Sequence, residues 1–174
     1  VAVKAANLDA CKCLILKLKA NVNATNSLGR TPLHDAVAVP GTWSDDESDG
    51  GPASIFQLLI SAGAPVLAAD AAGQTALHVA AASNTTYALA YFLLHTSIDI
   101  SARDLKGMTA LHVAVQCGNI PALKVLEGAR PDALDDVDFE GNSVLHLAVQ
   151  SENNQELVQL LLESQMVNIT LKNK

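Results

Sequence analysis

The chain has 174 residues, of which 49% are hydrophobic, 17% charged and 3% aromatic, and its net charge is −7. That length suits one domain, the scarcity of rings calls for a core of Ala, Leu, Val and Ile, and the acidic balance argues against a general affinity for phosphate backbones. No apolar run approaches the roughly 20 residues of a membrane span, and no secretory signal opens the chain, so an intracellular protein is expected, cytoplasmic or nuclear.

In chain order, residues 1–28 are the basic part, with four lysines against one acid. Their "CKCLILKLKANVNATN" reads as the second half of a structural unit, with Val1 falling inside it, and a section of a longer protein is expected. Cys11, Cys13 and Cys117 are an odd number without framework spacing. Free thiols in a reducing compartment follow. Four segments then align without gaps: "GRTPLHDAV" from Gly29, "GQTALHVAA" from Gly73, "GMTALHVAV" from Gly107 and "GNSVLHLAV" from Gly141. Their histidines, at 34, 78, 112 and 146, are separated by 44, 34 and 34 residues. Each copy is followed by a second apolar run: "IFQLLI", "LAYFLL", "ALKVL" and "LVQLLL".

The long first spacing comes from an insertion, residues 40–52, "PGTWSDDESDGGP". Pro and Gly at its ends stop both flanking helices, and its four acids favour a solvated loop. Trp43 has no obvious core to join, and Ser44 is followed by three acids, the pattern of an acid-directed kinase target. Phosphate there would add roughly −1.5 to −2 of charge. Near the other end, "GARPDALDDVDFEG" reads as an over-long link after a shortened helix "ALKVLE". It is expected to be a solvated loop, with Phe139 among Asp132, Asp135, Asp136, Asp138 and Glu140 forming a cradle for a basic segment of a protein partner.

A period near 33 residues carrying T-P-L-H-x-A resembles the ankyrin-repeat family, over essentially the whole chain. The resemblance implies an all-α solenoid of helix-turn-helix repeats joined by short β-hairpin loops. The expected units are a partial repeat at 1–28, then 29–72 with the insertion, 73–106, 107–140 and 141–174. It also implies a protein-binding function without catalysis or cofactor, on the curved face of hairpin tips and first helices.

Physical roles can be assigned residue by residue. Thr31, Thr75, Thr109 and Ser143 are N-caps, and Pro32 occupies a first turn where its missing N–H costs nothing. The leucines and alanines of each LHxA point inward. The glycines before the caps allow positive φ, and Asn7, Asn84 and Gly118 are expected in left-handed turns between helices. Neighbouring repeats stand about 8–10 Å apart, too far for His34, His78, His112 and His146 to share a metal ion; each is expected to tie one repeat to the next by hydrogen bonds to backbone. Arg30, Gln74, Lys106, Met108, Glu140 and Asn142 at the tips, with Asp35, Val79, Val113 and Leu147 on the helices, are the expected exposed contact residues. Neither nucleic acid, membrane nor small molecule is expected as a direct partner. A scaffold or trafficking adaptor fits the open chain ends; the alternative is an inhibitor or co-regulator of a transcription factor, of the NF-kappa-B-inhibitor or Notch kind.

Overall fold

The computed structural model describes residues 2–39, 52–95, 98–150 and 155–163. Trp43, Ser44 and nearly all of the insertion lie outside the described residues.

Inner helices form wherever T/S-x-L-H occurs: α2 (Pro32–Val37), α4 (Ala76–Ala82), α6 (Ala110–Gln116) and α8 (Val144–Gln150). Each starts from an extended cap residue, as Thr75 does at φ −85° and ψ 170°. Outer helices follow: α3 (Pro52–Ser61), α5 (Thr86–His95), α7 (Ile120–Ala129) and α9 (Gln155–Glu163). The N-terminal unit supplies only an outer element, α1 (Leu8–Lys12), which continues into a π-helical segment, Cys13–Lys17. The π-segment has no fully buried residue, whereas Cys11, just before it, is buried.

Packing follows the repeat. Inner helices touch in the order α2, α4, α6, α8, and each lies against its own outer helix. Ala36, Ala80, Ala114 and Ala148 are essentially inaccessible, and their small side chains let inner helices approach closely. The outer layer supplies the bulk: Leu59, Phe92, Leu126 and Leu161 are buried to within 1%, and each is worth roughly 1.5–3 kcal/mol in transfer terms. Four of the six aromatics gather at one junction, where the Phe56 ring on α3 meets Tyr87, Tyr91 and Phe92 of α5 edge-on at 5.1–6.5 Å between centroids. The core is therefore aliphatic except at that node.

Polar side chains join the units on the side away from the hairpins. Asn119 caps α7, its Oδ1 accepting from Ala122 N–H at 3.2 Å, while its Nδ2 donates back to the Ala81 carbonyl of the preceding repeat at 2.7 Å. Thr85, 34 residues earlier, donates to the Val37 carbonyl at 3.2 Å.

Three local expectations need correction. Asn84 and Gly118 take the left-handed conformation, but in the first unit it is Ala6, at φ 50°, that does so. Asn7 sits one residue later and caps α1, accepting from Ala10 N–H at 2.8 Å, because only a short polar side chain on extended backbone reaches those amides. Helix α7 is not shortened, since it runs ten residues through Gly128 to Ala129. The link after it is not a solvated loop: Pro131–Asp135 form a 3₁₀ helix that buries Ala133 and Leu134. Burying those two apolar side chains outweighs the solvation of the flanking acids.

Candidate functional site

Between an outer helix and the next inner helix the chain makes a tight hairpin, and the four described hairpins share one hydrogen-bond scheme. At its start stands Asn26, Asp70, Asp104 or Asp138. In the second hairpin the Asp70 N–H donates to the Gln74 carbonyl at 2.8 Å, while Asp70 Oδ1 accepts from Ala72 and Gln74 N–H at 2.9 and 3.0 Å. Asp104 binds Lys106 and Met108 amides in the same way, and Asp138 those of Glu140 and Asn142. Asn26 does so with its amide oxygen, accepting from Leu28 and Arg30. These four residues were missed in the sequence, although the signal was there: each stands three positions before its hairpin glycine, in NSLG, DAAG, DLKG and DFEG. Burial raises the Asp70 pKa, but the two amides and the Arg30 guanidinium 3.1 Å away outweigh it, so the net shift is downward.

Hairpins also bond to one another. Ala71, Leu105 and Phe139 donate their N–H to the carbonyls of Leu28, Ala72 and Lys106 at 2.9–3.0 Å, one bond per junction. Such close approach leaves no room for a side chain at the glycine: a Cβ on Gly73, which has φ +77°, would lie 2.8 Å from the Leu105 nitrogen.

The histidines link helix, hairpin and neighbour. Nδ1 of His78 accepts from Thr75 N–H at 3.2 Å and lies 2.9 Å from Thr75 Oγ1, completing a capping box at the start of α4. Its Nε2 lies 3.1 Å from the Met108 carbonyl of the next hairpin. A carbonyl can only accept, so the ring is the neutral Nε2–H tautomer and the Thr75 hydroxyl donates to Nδ1. His34 does the same with Thr31 and the Gln74 carbonyl, and His112 with Thr109 and the Asp136 carbonyl. Burial lowers all three pKa values, against smaller opposing contributions from the carbonyl contacts and nearby acids. In the last unit, His146 Nδ1 lies 2.9 Å from Ser143 Oγ.

The structure divides the expected contact residues. Lys106, Phe139 and Glu140 are exposed; Arg30, Asp35 and Gln74 are half-buried. Arg30 pairs with Asp70, and Asp35 lies 3.5 Å from Lys4. Met108, Asn142, Val79, Val113 and Leu147 are buried, contrary to their expected exposure. The residue after each hairpin glycine turns back into the Asx scheme at Met108 and Asn142. The residue after each histidine is covered in the row of inner helices, so no outward apolar stripe exists at 79, 113 and 147.

The acids of 132–140 are likewise committed. Asp136 faces Arg103 at 3.7 Å and Arg130 at 3.3 Å, and Asp132 meets Arg130 at 3.4 Å. Asp138 and Glu140 both accept from the Asn142 side-chain amide. Asp136 Oδ2 is buried without a hydrogen bond of good geometry, so its contact with Arg130 is an ion pair alone. The region is largely self-neutralised and offers little to a basic segment.

Three copies of an ankyrin-repeat family model match residues 48–135, which is more than half of the chain, and a single ankyrin-repeat model matches residues 140–174. The chain belongs to the ankyrin-repeat family. Ankyrin repeats are generally non-enzymatic protein–protein interaction modules. A search of curated proteins returned no match to the chain. Among the described residues no group of three or more His, Cys, Asp and Glu side chains is placed to hold a metal ion, and no helix is long and apolar enough to cross a membrane. The ankyrin repeat before residue 48 is recognisable by its bonding: Asn26, Gly29 and the Thr31–His34 capping box reproduce the later hairpins.

Proposed function

We propose that this ankyrin stack is a protein-binding section of a scaffold or adaptor, and that the partner is gripped along the row of hairpin tips. The observation that carries the reading is the division of labour within each repeat. The conserved-pattern residues, from Asx through Thr to His and Ala, are spent on hydrogen bonds and packing, whereas tip residues such as Leu105, Lys106, Phe139 and Glu140 remain at the surface. Surface residues of a solenoid can be chosen for a partner without disturbing the core, because each repeat is held only by its neighbours.

Proximity labelling in cells tests this, comparing the natural chain with a Lys106→Glu, Glu140→Lys variant. The expected result is a partner set dominated by trafficking or scaffold components and depleted by the charge swap. Nuclear transcription factors in that set would favour the co-regulator reading. Labelling equal to that of a non-binding control protein would remove the binding function altogether.

A further inference from the structure

The hairpin row carries a run of apolar side chains turned to solvent. Leu28, Leu105 and Phe139 are 58%, 71% and 62% exposed, and between them the second hairpin offers the exposed, small Ala71 and Ala72. Because each junction is closed by a backbone bond between adjacent tips, these residues form one continuous line rather than scattered spots. A contiguous exposed apolar strip of this kind marks an interaction surface more often than isolated leucines do. Few charges interrupt it: Lys106 marks the third tip and Glu140 the fourth, while Arg30 at the first is drawn back onto Asp70. The other acids nearby are engaged with Arg103, Arg130 or backbone amides, so the strip is apolar with one positive and one negative mark.

We infer that this ridge docks an amphipathic α-helix of a partner protein, lying along the row of tips. Spacing selects a helix over an extended chain. Equivalent residues on adjacent repeats lie about 8–10 Å apart, the distance between neighbouring helices. Seven residues of α-helix rise about 10.5 Å and return to the same face. In an extended strand, same-face residues recur every two positions at roughly 6.7 Å or every four at roughly 13 Å, and neither matches. The helix therefore carries large apolar residues about seven apart, seated between Leu105 and Phe139 and over the gap at Ala71 and Ala72. Charge complementarity fixes its flank: an acid opposite Lys106 and a base one repeat further on, opposite Glu140. The inference deepens the proposed function and rests on its reading of the tips as the binding face.

The test uses the full chain and a 22-residue helix-locked peptide with leucines at every seventh position, glutamate and lysine placed as above, followed by fluorescence anisotropy. The control peptide has the same composition, scrambled so that the leucines share no face. The ridge predicts that Leu105→Asp with Phe139→Asp weakens binding tenfold or more, while Leu94→Asp, on the exposed outer side of α5, leaves it unchanged. Circular dichroism verifies that each variant is folded; should the aspartates unfold it, Leu105→Ser with Phe139→Ser replaces them. Hydrogen exchange on the natural chain with peptide adds an independent reading, with protection expected at residues 105–107 and 139–141. Binding no tighter than that of the scrambled peptide, equal affinity in the ridge variant, or protection confined to the outer helices would overturn the inference. If cellular partners are still labelled while the peptide fails, the ridge falls and the broader binding function stands; the converse pattern, peptide binding with no cellular partner, keeps the ridge and removes the broader reading.

Discussion

Replacing Gly73 with alanine separates two demands that the hairpin places on one residue. Gly73 has φ +77°, and a Cβ there would lie 2.8 Å from the Leu105 backbone nitrogen and 3.2 Å from the Asp104 carbonyl carbon. Gly63, in the turn after α3, has φ +80° and nothing within 4 Å of the same position. Both alanines bear the left-handed strain of about 1–2 kcal/mol. Only Gly73→Ala must also push the neighbouring hairpin away, and backbone cannot rotate aside as a side chain can; overpacking of that kind adds about 1–3 kcal/mol. Gly63→Ala should therefore cost about 1–2 kcal/mol in total, and Gly73→Ala about 2–5 kcal/mol. Urea unfolding followed by circular dichroism measures both, with the slope of the transition showing whether the repeats still unfold together. Equal midpoints for the two variants would mean that hairpin contact contributes nothing to the stack, and the description of the tip row would have to be abandoned.

Other expectations follow from the same geometry. The folded-state pKa values of His34, His78 and His112 are lowered by burial, so the unfolded chain takes up protons first as pH falls. Stability is complete above an unfolded pKa of about 6.5 and declines below it, by at most about 1.4 kcal/mol per pH unit for each histidine. A urea midpoint that stays flat from pH 7.5 to 5.5 would contradict the hydrogen-bond assignments. Leu134→Ala should destabilise by about 2–5 kcal/mol, as a buried leucine does; a change under about 0.5 kcal/mol, typical of a surface site, would restore the loop reading of 130–136. Asn119→Asp keeps an acceptor for Ala122 N–H but loses the donor to the Ala81 carbonyl. It should cost about 1–3 kcal/mol for the orphaned carbonyl, and a neutral effect in thermal melts would show that this tie is idle.

The helix pairs, the period and the insertion were legible from residues alone because each depends on local chemistry. A threonine able to cap, a histidine three residues on and a leucine between them specify the start of an inner helix wherever they recur. Hairpin glycines were legible for the same reason, since positive φ is a property of the residue itself. Exposure was a different matter. Val79, Val113 and Leu147 were expected to face outward, and the stack buries them, because whether the residue after a histidine is covered depends on where the neighbouring inner helix comes to rest. The acids around Asp136 look like an open negative cradle in sequence, yet Arg103, three dozen residues earlier, and Arg130 fold onto the same carboxylate.

The amino-acid order thus determined the repeating unit, its caps and turns, for these are settled by contacts within a few residues. Which side chains the finished stack leaves in water was decided only when the units met, because burial and charge pairing are long-range sums over residues from different repeats. The apolar ridge of Leu28, Leu105 and Phe139 belongs to that second kind: three ordinary residues in a list, and a continuous edge once backbone bonds set the tips side by side.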